Sequence, residues 1–214
     1  MSRLLCALVA LSAVLAAQQA GPHGLHHTAD EYIKVLDDPE RDASQKPDEV
    51  VRALDLKPGA TVADLGAGTG YFTVRLAGPV GPQGRVLAVD IDPKLLDRVR
   101  DRAAGRKLAN VQTLLASPED SHLMANSVDL VFICNVIHHI ENRPSYYQSL
   151  GLALKPGGRL AIVDFHKREA PVGPALAMKI AREDLVREVE SSGFRLVQEH
   201  SFLPHQYFLV FESK

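Results

Sequence analysis

The chain has 214 residues, enough for one domain with a full core and little left over. Its 46% hydrophobic and 23% charged residues are the proportions of a globular protein, not of a disordered or fibrous one. A formal charge of -2 gives no electrostatic reason to expect nucleic acid as partner, and the densest basic stretch, Arg98 to Lys107, is interleaved with Asp97 and Asp101 as on a solvated helix face.

The first twenty residues stand apart. Arg3 precedes an apolar run from Leu4 to Ala17, with small residues at Ala16 and Ala17, the pattern of a secretory signal; an uncleaved amphiphilic helix or a misassigned start codon are the alternatives. A working leader would make the protein exported, periplasmic or secreted; otherwise it is cytoplasmic. Cleavage would remove Cys6 and leave Cys134 without a partner for an intramolecular disulfide. Cys134 sits in the apolar run Val128 to Cys134 and reads as an inert core residue.

Residues 21–46 read as an N-terminal extension and cap, and 47–214 as the main domain. Gly21 to His27 is a glycine-, proline- and histidine-rich leader whose His23, His26 and His27 are incidental. Thr28 to Leu36 carries apolar Tyr32, Ile33, Val35 and Leu36 for a short helix, Asp37 to Lys46 is polar and irregular, and Pro47 opens a helix to Leu54. Val62 to Leu65 is a short apolar run behind the Pro58-Gly59 turn, suited to a buried parallel strand. A glycine loop and a helix-like run through Tyr71, Phe72, Val74 and Leu76 follow, then a turn over Gly78 to Gly84. Further strands are expected at Arg85–Asp90, Val111–Leu115, Val128–Cys134, Arg159–Phe165, Phe194–His200 and His205–Phe211, with helices from Pro93, over Ser145–Leu154 and over Arg182–Ser191. Leu56-Lys57-Pro58-Gly59 and Leu154-Lys155-Pro156-Gly157 repeat one helix-to-strand punctuation. Alternating strands and helices predict a mostly parallel α/β sheet with helices on both faces. The last two strands are joined by only Ser201 to Pro204, too short for a crossover, so they form an antiparallel hairpin.

The loop Asp64-Leu65-Gly66-Ala67-Gly68-Thr69-Gly70 places three glycines at alternate positions after a strand and before a helix, where backbone can come very close to a nucleotide. Its G-x-G-x-G spacing and the acid two places before it do not suit a pyrophosphate and disfavour a nicotinamide dehydrogenase. The stretch resembles the first motif of the class I S-adenosylmethionine-dependent methyltransferases, in the branch that modifies small molecules, including quinone precursors. That resemblance spans roughly Pro47 to Phe211. It implies a Rossmann-like doubly wound sheet of seven strands, the cofactor S-adenosyl-L-methionine, and methyl transfer to a small-molecule acceptor.

By the same resemblance Asp64, Gly66, Gly68, Gly70, Asp90, Ile91, Ser117 and Asn135 border the cofactor. Asp90 ends the second strand, 26 residues after Asp64, where a carboxylate can accept both ribose hydroxyls; the competing reading is that it caps the helix from Pro93, as Asp92 could instead. Ile91 would lie against the adenine. Ser117 stands where such enzymes commonly carry an acid near the adenine amino group, with Glu119 or Asp120 as substitutes. Asn135 would line the methionine end; because it replaces the acidic ligand of metal-dependent catechol-type sites, no metal is expected. His138 and His139 follow it, and an imidazole can take a proton from an acceptor hydroxyl, amine or acidic carbon. Adjacent histidines are not expected to face one point, so at most one would serve; stacking on the sheet edge is the alternative for either. Asp164 could orient a histidine or substrate, or cap its loop, while His166 reads as exposed loop. Tyr32, Gln45 and Lys46 on one side and Lys167 to Lys179 on the other would roof the acceptor pocket, with Gln45-Lys46 equally readable as a solvated linker. A binding protein that keeps the fold without transferring methyl groups is the alternative function.

Overall fold

The computed structural model describes residues 29–214, with side chains from residue 33 onward. The leader, the histidines at 23, 26 and 27, and the side chain of Tyr32 lie outside the described residues. The chain order is α1 (Ala29–Leu36), α2 (Arg41–Gln45), α3 (Pro47–Ala53), β1 (Thr61–Leu65), α4 (Thr73–Val80), β2 (Arg85–Asp90), α5 (Pro93–Gly105), β3 (Val111–Leu115), β4 (Val128–Cys134), α6 (Arg143–Ala153), β5 (Leu154–Phe165), α7 (Arg182–Ser191), β6 (Phe194–His200) and β7 (Gln206–Ser213). Short 3-10 turns occupy Ile137–His139 and Leu176–Met178.

The seven strands form one sheet in the order β3-β2-β1-β4-β5-β7-β6. β1 lies between β2 and β4, parallel to both, with Asp64 beside Ala88 on one side and Phe132 on the other. β7 is antiparallel to β5 and β6, as the short link before it requires. Alternate residues of each strand point to opposite faces, so one strand feeds two cores. From β4, Val131 and Ile133 pack with Tyr147, Leu150, Leu185 and Val189 of α6 and α7. Leu130 and Phe132 pack with Val50, Leu54, Leu76 and Val80 of α3 and α4 on the other face. The strands therefore read as continuous apolar runs, because helices cover both sides.

Several boundaries differ from the sequence expectation. The supposedly irregular stretch after Asp37 contains α2, which ends where Lys46 takes a left-handed conformation (φ 42°) before Pro47 opens α3. α4 runs through Pro79 to Val80 instead of stopping at Gly78, and Gly81 (φ 68°) ends it. The residues Leu154 to Gly157 belong to β5, whose register against β4 shifts between Val128 and Leu130. Among the described residues no helix is long and apolar enough to cross a membrane.

The strand order reverses between β1 and β4, whose parallel neighbours lead off to opposite sides. Loops leaving the carboxyl ends of the parallel strands meet beyond that point and form the crevice of such sheets. The glycine loop after β1, the acid closing β2, the Asn135-to-His139 segment after β4 and the end of β5 all belong to this rim.

Candidate functional site

The glycine loop is held from below by β2: the N–H groups of Gly66 and Ala67 both donate to the Val89 carbonyl, at 2.8 and 3.0 Å. Gly66 and Gly68 have φ of 71° and 55°, the left-handed region that side chains disfavour. The Gly68 N–H donates to Oδ2 of Asp90 at 2.8 Å, so loop and acid border a common place. Oδ1 of Asp90 accepts from the Asp92 N–H at 3.0 Å, and Asp92 itself caps α5 by accepting from Lys94 N–H at 2.8 Å. The helix cap is thus Asp92, leaving Asp90 free of that task. Burial raises the Asp90 pKa, opposed by the backbone N–H groups of Asp92, Gly68 and Ile91.

What lies against the glycines corrects one inference. A Cβ on Gly66 would meet Cγ2 of Val136 at 2.2 Å, and one on Gly68 would meet Cδ1 of Leu36 at 3.1 Å. Close approach at these two glycines is made by the protein's own side chains. Beside Leu36, Asp37 accepts from the Thr69 hydroxyl and from Arg102, each at 2.6 Å, and from Arg98 at 3.3 Å. Burial alone would raise the Asp37 pKa, but Thr69, Arg102 and Arg98 together hold it low. The end of α1 is therefore clamped across the loop to α5.

Asp64 is buried, not open to the rim. Its Oδ2 accepts from the Thr73 hydroxyl at 2.6 Å. Burial pushes its carboxyl up to about 7, the Thr73 hydroxyl pulling the other way and the charge of Asp90 adding to the rise. Ile91, beside Asp90, is 43% exposed. Ser117 closes a local turn, its hydroxyl accepting from Asp120 N–H at 3.1 Å. Asn135 adopts φ 59° and its Oδ1 accepts from Nε2 of Gln206 at 2.5 Å, tying β4 to the first residue of β7.

Past Asn135 the chain turns through Val136 and a 3-10 turn, which brings His138 inward over the end of β5. Its Nδ1 lies 2.9 Å from both Asp164 oxygens, with the two side chains 3% and 1% exposed. Asp164 is further fixed by the Phe165 N–H at 2.7 Å. An ionised carboxylate only accepts, so this contact puts the imidazole proton on Nδ1 and leaves the lone pair on Nε2. His139 is exposed, and its ring lies 4.2 Å from that of His138, tilted by 42°. The two rings stand against one another.

A cleft of about 530 Å³ opens beside this pair, lined by His138, by the 177–181 segment and by the start of α7. Neither the glycine loop nor Asp90 lines it. Two further corrections concern Gln45, one of the roofing residues, and His166. Gln45 is buried and accepts from Cys134 Sγ at 3.4 Å, so it is not a solvated linker. His166 is half-buried, edge-on to Tyr207 with ring centroids 5.6 Å apart, and burial and then Arg168 lower its pKa. The Cys134 thiol is pushed far up by burial, in keeping with an inert side chain. Among the described residues no three His, Cys, Asp or Glu side chains group to hold a metal ion.

Three residues of the cleft carried no readable signal in the sequence. Arg143 forms a two-pronged pair with Glu188, at 2.7 and 2.8 Å, across 45 residues of chain. Lys179 is buried, its ammonium donating to the Arg168 carbonyl. Such pairings depend on which helices the sheet brings together, not on local spacing.

A family model described as a methyltransferase domain matches residues 56–200, from just before β1 to the end of β6. The chain belongs to the class I S-adenosylmethionine-dependent methyltransferases. A ubiquinone/menaquinone biosynthesis C-methyltransferase UbiE from Ectopseudomonas mendocina is 36% identical over 123 residues, covering 57% of this chain and 47% of that protein. An arsenite methyltransferase from Halobacterium salinarum is 32% identical over 109 residues, covering 51% and 28%. The chain thus spans less than half the length of these curated relatives. A crystal structure of a SAM-dependent methyltransferase from Aquifex aeolicus superposes with a TM-score of 0.82 at 26% identity, covering 88% of this chain and all of that one.

The rim suits an adenosyl group. The Asp90 carboxylate accepts from the Gly68 and Asp92 N–H groups, with the Ile91 N–H also acting on it, and a carboxylate has about four acceptor sites, so capacity for a ribose hydroxyl remains. Exposed Ile91 beside it offers an apolar face for a purine.

Proposed function

We propose that this protein transfers a methyl group from S-adenosylmethionine to a small-molecule acceptor, with His138 receiving the acceptor's proton and Asp164 holding His138 in place. The observation that carries this reading is the His138–Asp164 contact at 2.9 Å beside the cleft that His138 lines, on the same strand-end rim as the glycine loop and Asp90. The names of the relatives, which include enzymes of quinone biosynthesis and arsenite methylation, support a small acceptor.

Asp90 would hold the ribose, Ile91 the adenine face, Ser117 the adenine edge, and Asn135 with the glycine loop the methionine end. When bound, the cofactor supplies a methyl group on a positively charged sulfur, an electrophile that needs no activation by the protein. The protein's part is alignment and proton removal. Holding two reactants in line in a dry site contributes roughly 7–11 kcal/mol in well-oriented reactions. As the acceptor's oxygen, nitrogen or carbon donates its electron pair, its proton passes to Nε2 of His138. The Asp164 carboxylate then faces an imidazolium and stabilises it. His139, exposed and in ring contact with His138, is given no part in the transfer.

Labelled cofactor incubated with the protein and a metabolite extract tests the reading. Wild-type protein is expected to label a small molecule. His138→Gln should lower that transfer by about a hundredfold or more while cofactor affinity holds. Cofactor binding without label transfer to anything in the extract would refute the enzymatic reading. An exported location is supported by residues 1–20, and fractionating cells that express the tagged full chain tests it; tagged protein confined to the cytoplasm would refute it.

A further inference from the structure

Lys179 is 4% exposed, yet no carboxylate pairs with it among the described residues. Its ammonium donates to the Arg168 carbonyl at 2.8 Å and stands 5.6 Å from the centroid of the Phe165 ring. An ammonium has three N–H donors, so these neutral neighbours leave it short of both partners and countercharge. Keeping a buried cation in that state is costly, and proteins seldom do so without a ligand or ion to complete it.

The surroundings have the same sign. The cleft that Lys179 lines with His138 holds four cationic side chains, Arg143, Lys167, Lys179 and Arg187, against two carboxylates, Asp184 and Glu188. Both carboxylates are engaged: Glu188 takes both prongs of Arg143, and Asp184 accepts from Arg187 at 3.0 Å. The positive charge left over is that of Lys167 and Lys179. α7 also begins at the cleft, and its N-cap, Ala181, offers no side-chain acceptor for the first-turn N–H groups. A helix start adds partial positive charge, which Glu183 and Asp184 in the first turn partly offset. Met178 and Ile180 line the same space with hydrocarbon.

We infer that the cleft is an anion subsite, and that the methyl acceptor is a small organic carboxylate whose head group sits at Lys179 with its body toward His138. A single negative charge matches one buried ammonium; the partly buried guanidinium fork of the cleft, that of Arg143, is already occupied by Glu188, and Arg187 is mostly exposed. Calling this ligand the acceptor rests on the methyl-transfer reading, but the binding does not.

The test uses the full-length protein with carbon-13 methyl methionine. Met178 lines the cleft, and Met124, outside it and 76% exposed, is the internal control. Benzoate and benzamide, nearly equal in shape and different in charge, are titrated as probes. Benzoate should move the Met178 resonance and not that of Met124, with benzamide weaker by about tenfold or more, the usual weight of a charge-assisted hydrogen bond. Lys179→Gln should abolish the preference and Lys179→Arg retain most of it. Equal response to the two probes, no response at Met178, or an undiminished preference in Lys179→Gln would each overturn the subsite. Should the glutamine variant not fold, the wild-type pair of titrations still decides. Calorimetry with S-adenosylhomocysteine runs alongside: its failure to bind would remove the methyl-transfer reading alone. Label appearing only in neutral or cationic metabolites would overturn the assignment of the acceptor.

Discussion

Asp64 offers the sharpest test of the physical picture of this rim. It is 3% exposed in the central strand, with one strong hydrogen bond from Thr73 and a second carboxylate, Asp90, close enough to oppose its ionisation. Its carboxyl is held at about 7 in the folded chain, against 3.8 for an unperturbed aspartate. Below 3.8 it is protonated in both states and costs nothing. Between 3.8 and about 7 the unfolded chain gives up the proton freely and the folded chain does not, so stability falls as pH rises. Above that window the loss is complete, at about 4 kcal/mol if a single site accounts for it. Asp64→Asn keeps a carbonyl oxygen for Thr73 and removes the titration. The assay is urea unfolding of both proteins from pH 4 to pH 8. The asparagine variant should gain stability relative to wild type as pH rises, by up to about 4 kcal/mol across the range. Taking the difference removes the groups that titrate alike in both proteins; Asp90, whose charge helps to raise the Asp64 carboxyl, is coupled to it and belongs to the effect measured. A difference that stays constant with pH would refute the reasoning, whatever its absolute size.

The remaining predictions concern the crevice. Asp90→Ala should weaken S-adenosylhomocysteine binding by about tenfold or more, read by calorimetry, because charge-assisted bonds to the ribose are lost. Unchanged affinity would refute the ribose placement. Gly66→Ala should destabilise the fold by about 2–5 kcal/mol in chemical denaturation, combining left-handed strain with overpacking. Adding Val136→Ala should recover only the packing share, since the 2.2 Å contact is with a Val136 methyl while the φ of 71° is unchanged. Full recovery would show that φ contributes nothing there.

The glycine loop shows how a correct reading can rest on an incomplete reason. Three glycines at alternate positions do mark a backbone that must turn through left-handed angles, and that is a local requirement. At two of them the reason was taken to be a ligand, whereas Val136, seventy residues away, and Leu36 fill the space. α2 was missed for a related cause. Arg41 to Gln45 has too few apolar residues to announce a helix, and its position depends on Tyr71. The Tyr71 hydroxyl donates to Asp42, and the guanidiniums of Arg41 and Arg75 each stand 4.3 Å from its ring centroid. None of these partners is visible from the segment itself.

Of what the amino-acid sequence determined alone, the strands come first. β1, β2, β4 and the second half of β5 are apolar runs because both faces of the sheet are covered there, and the five-residue link before β7 leaves room for nothing but a hairpin. The acid at the end of β2 was legible because topology brings strand ends to one rim. Which side chains meet there was not. His138 reaches Asp164 only because β4 and β5 are neighbours, and Arg143 reaches Glu188 only because α6 and α7 pack on one face. Lys179 is informative because no carboxylate among the described residues pairs with it, a property that exists only once distant chain segments are in place. Periodicity and backbone angles are set within a few residues, whereas charge balance in a cleft is a sum over segments far apart in the chain, and only the folded arrangement performs it.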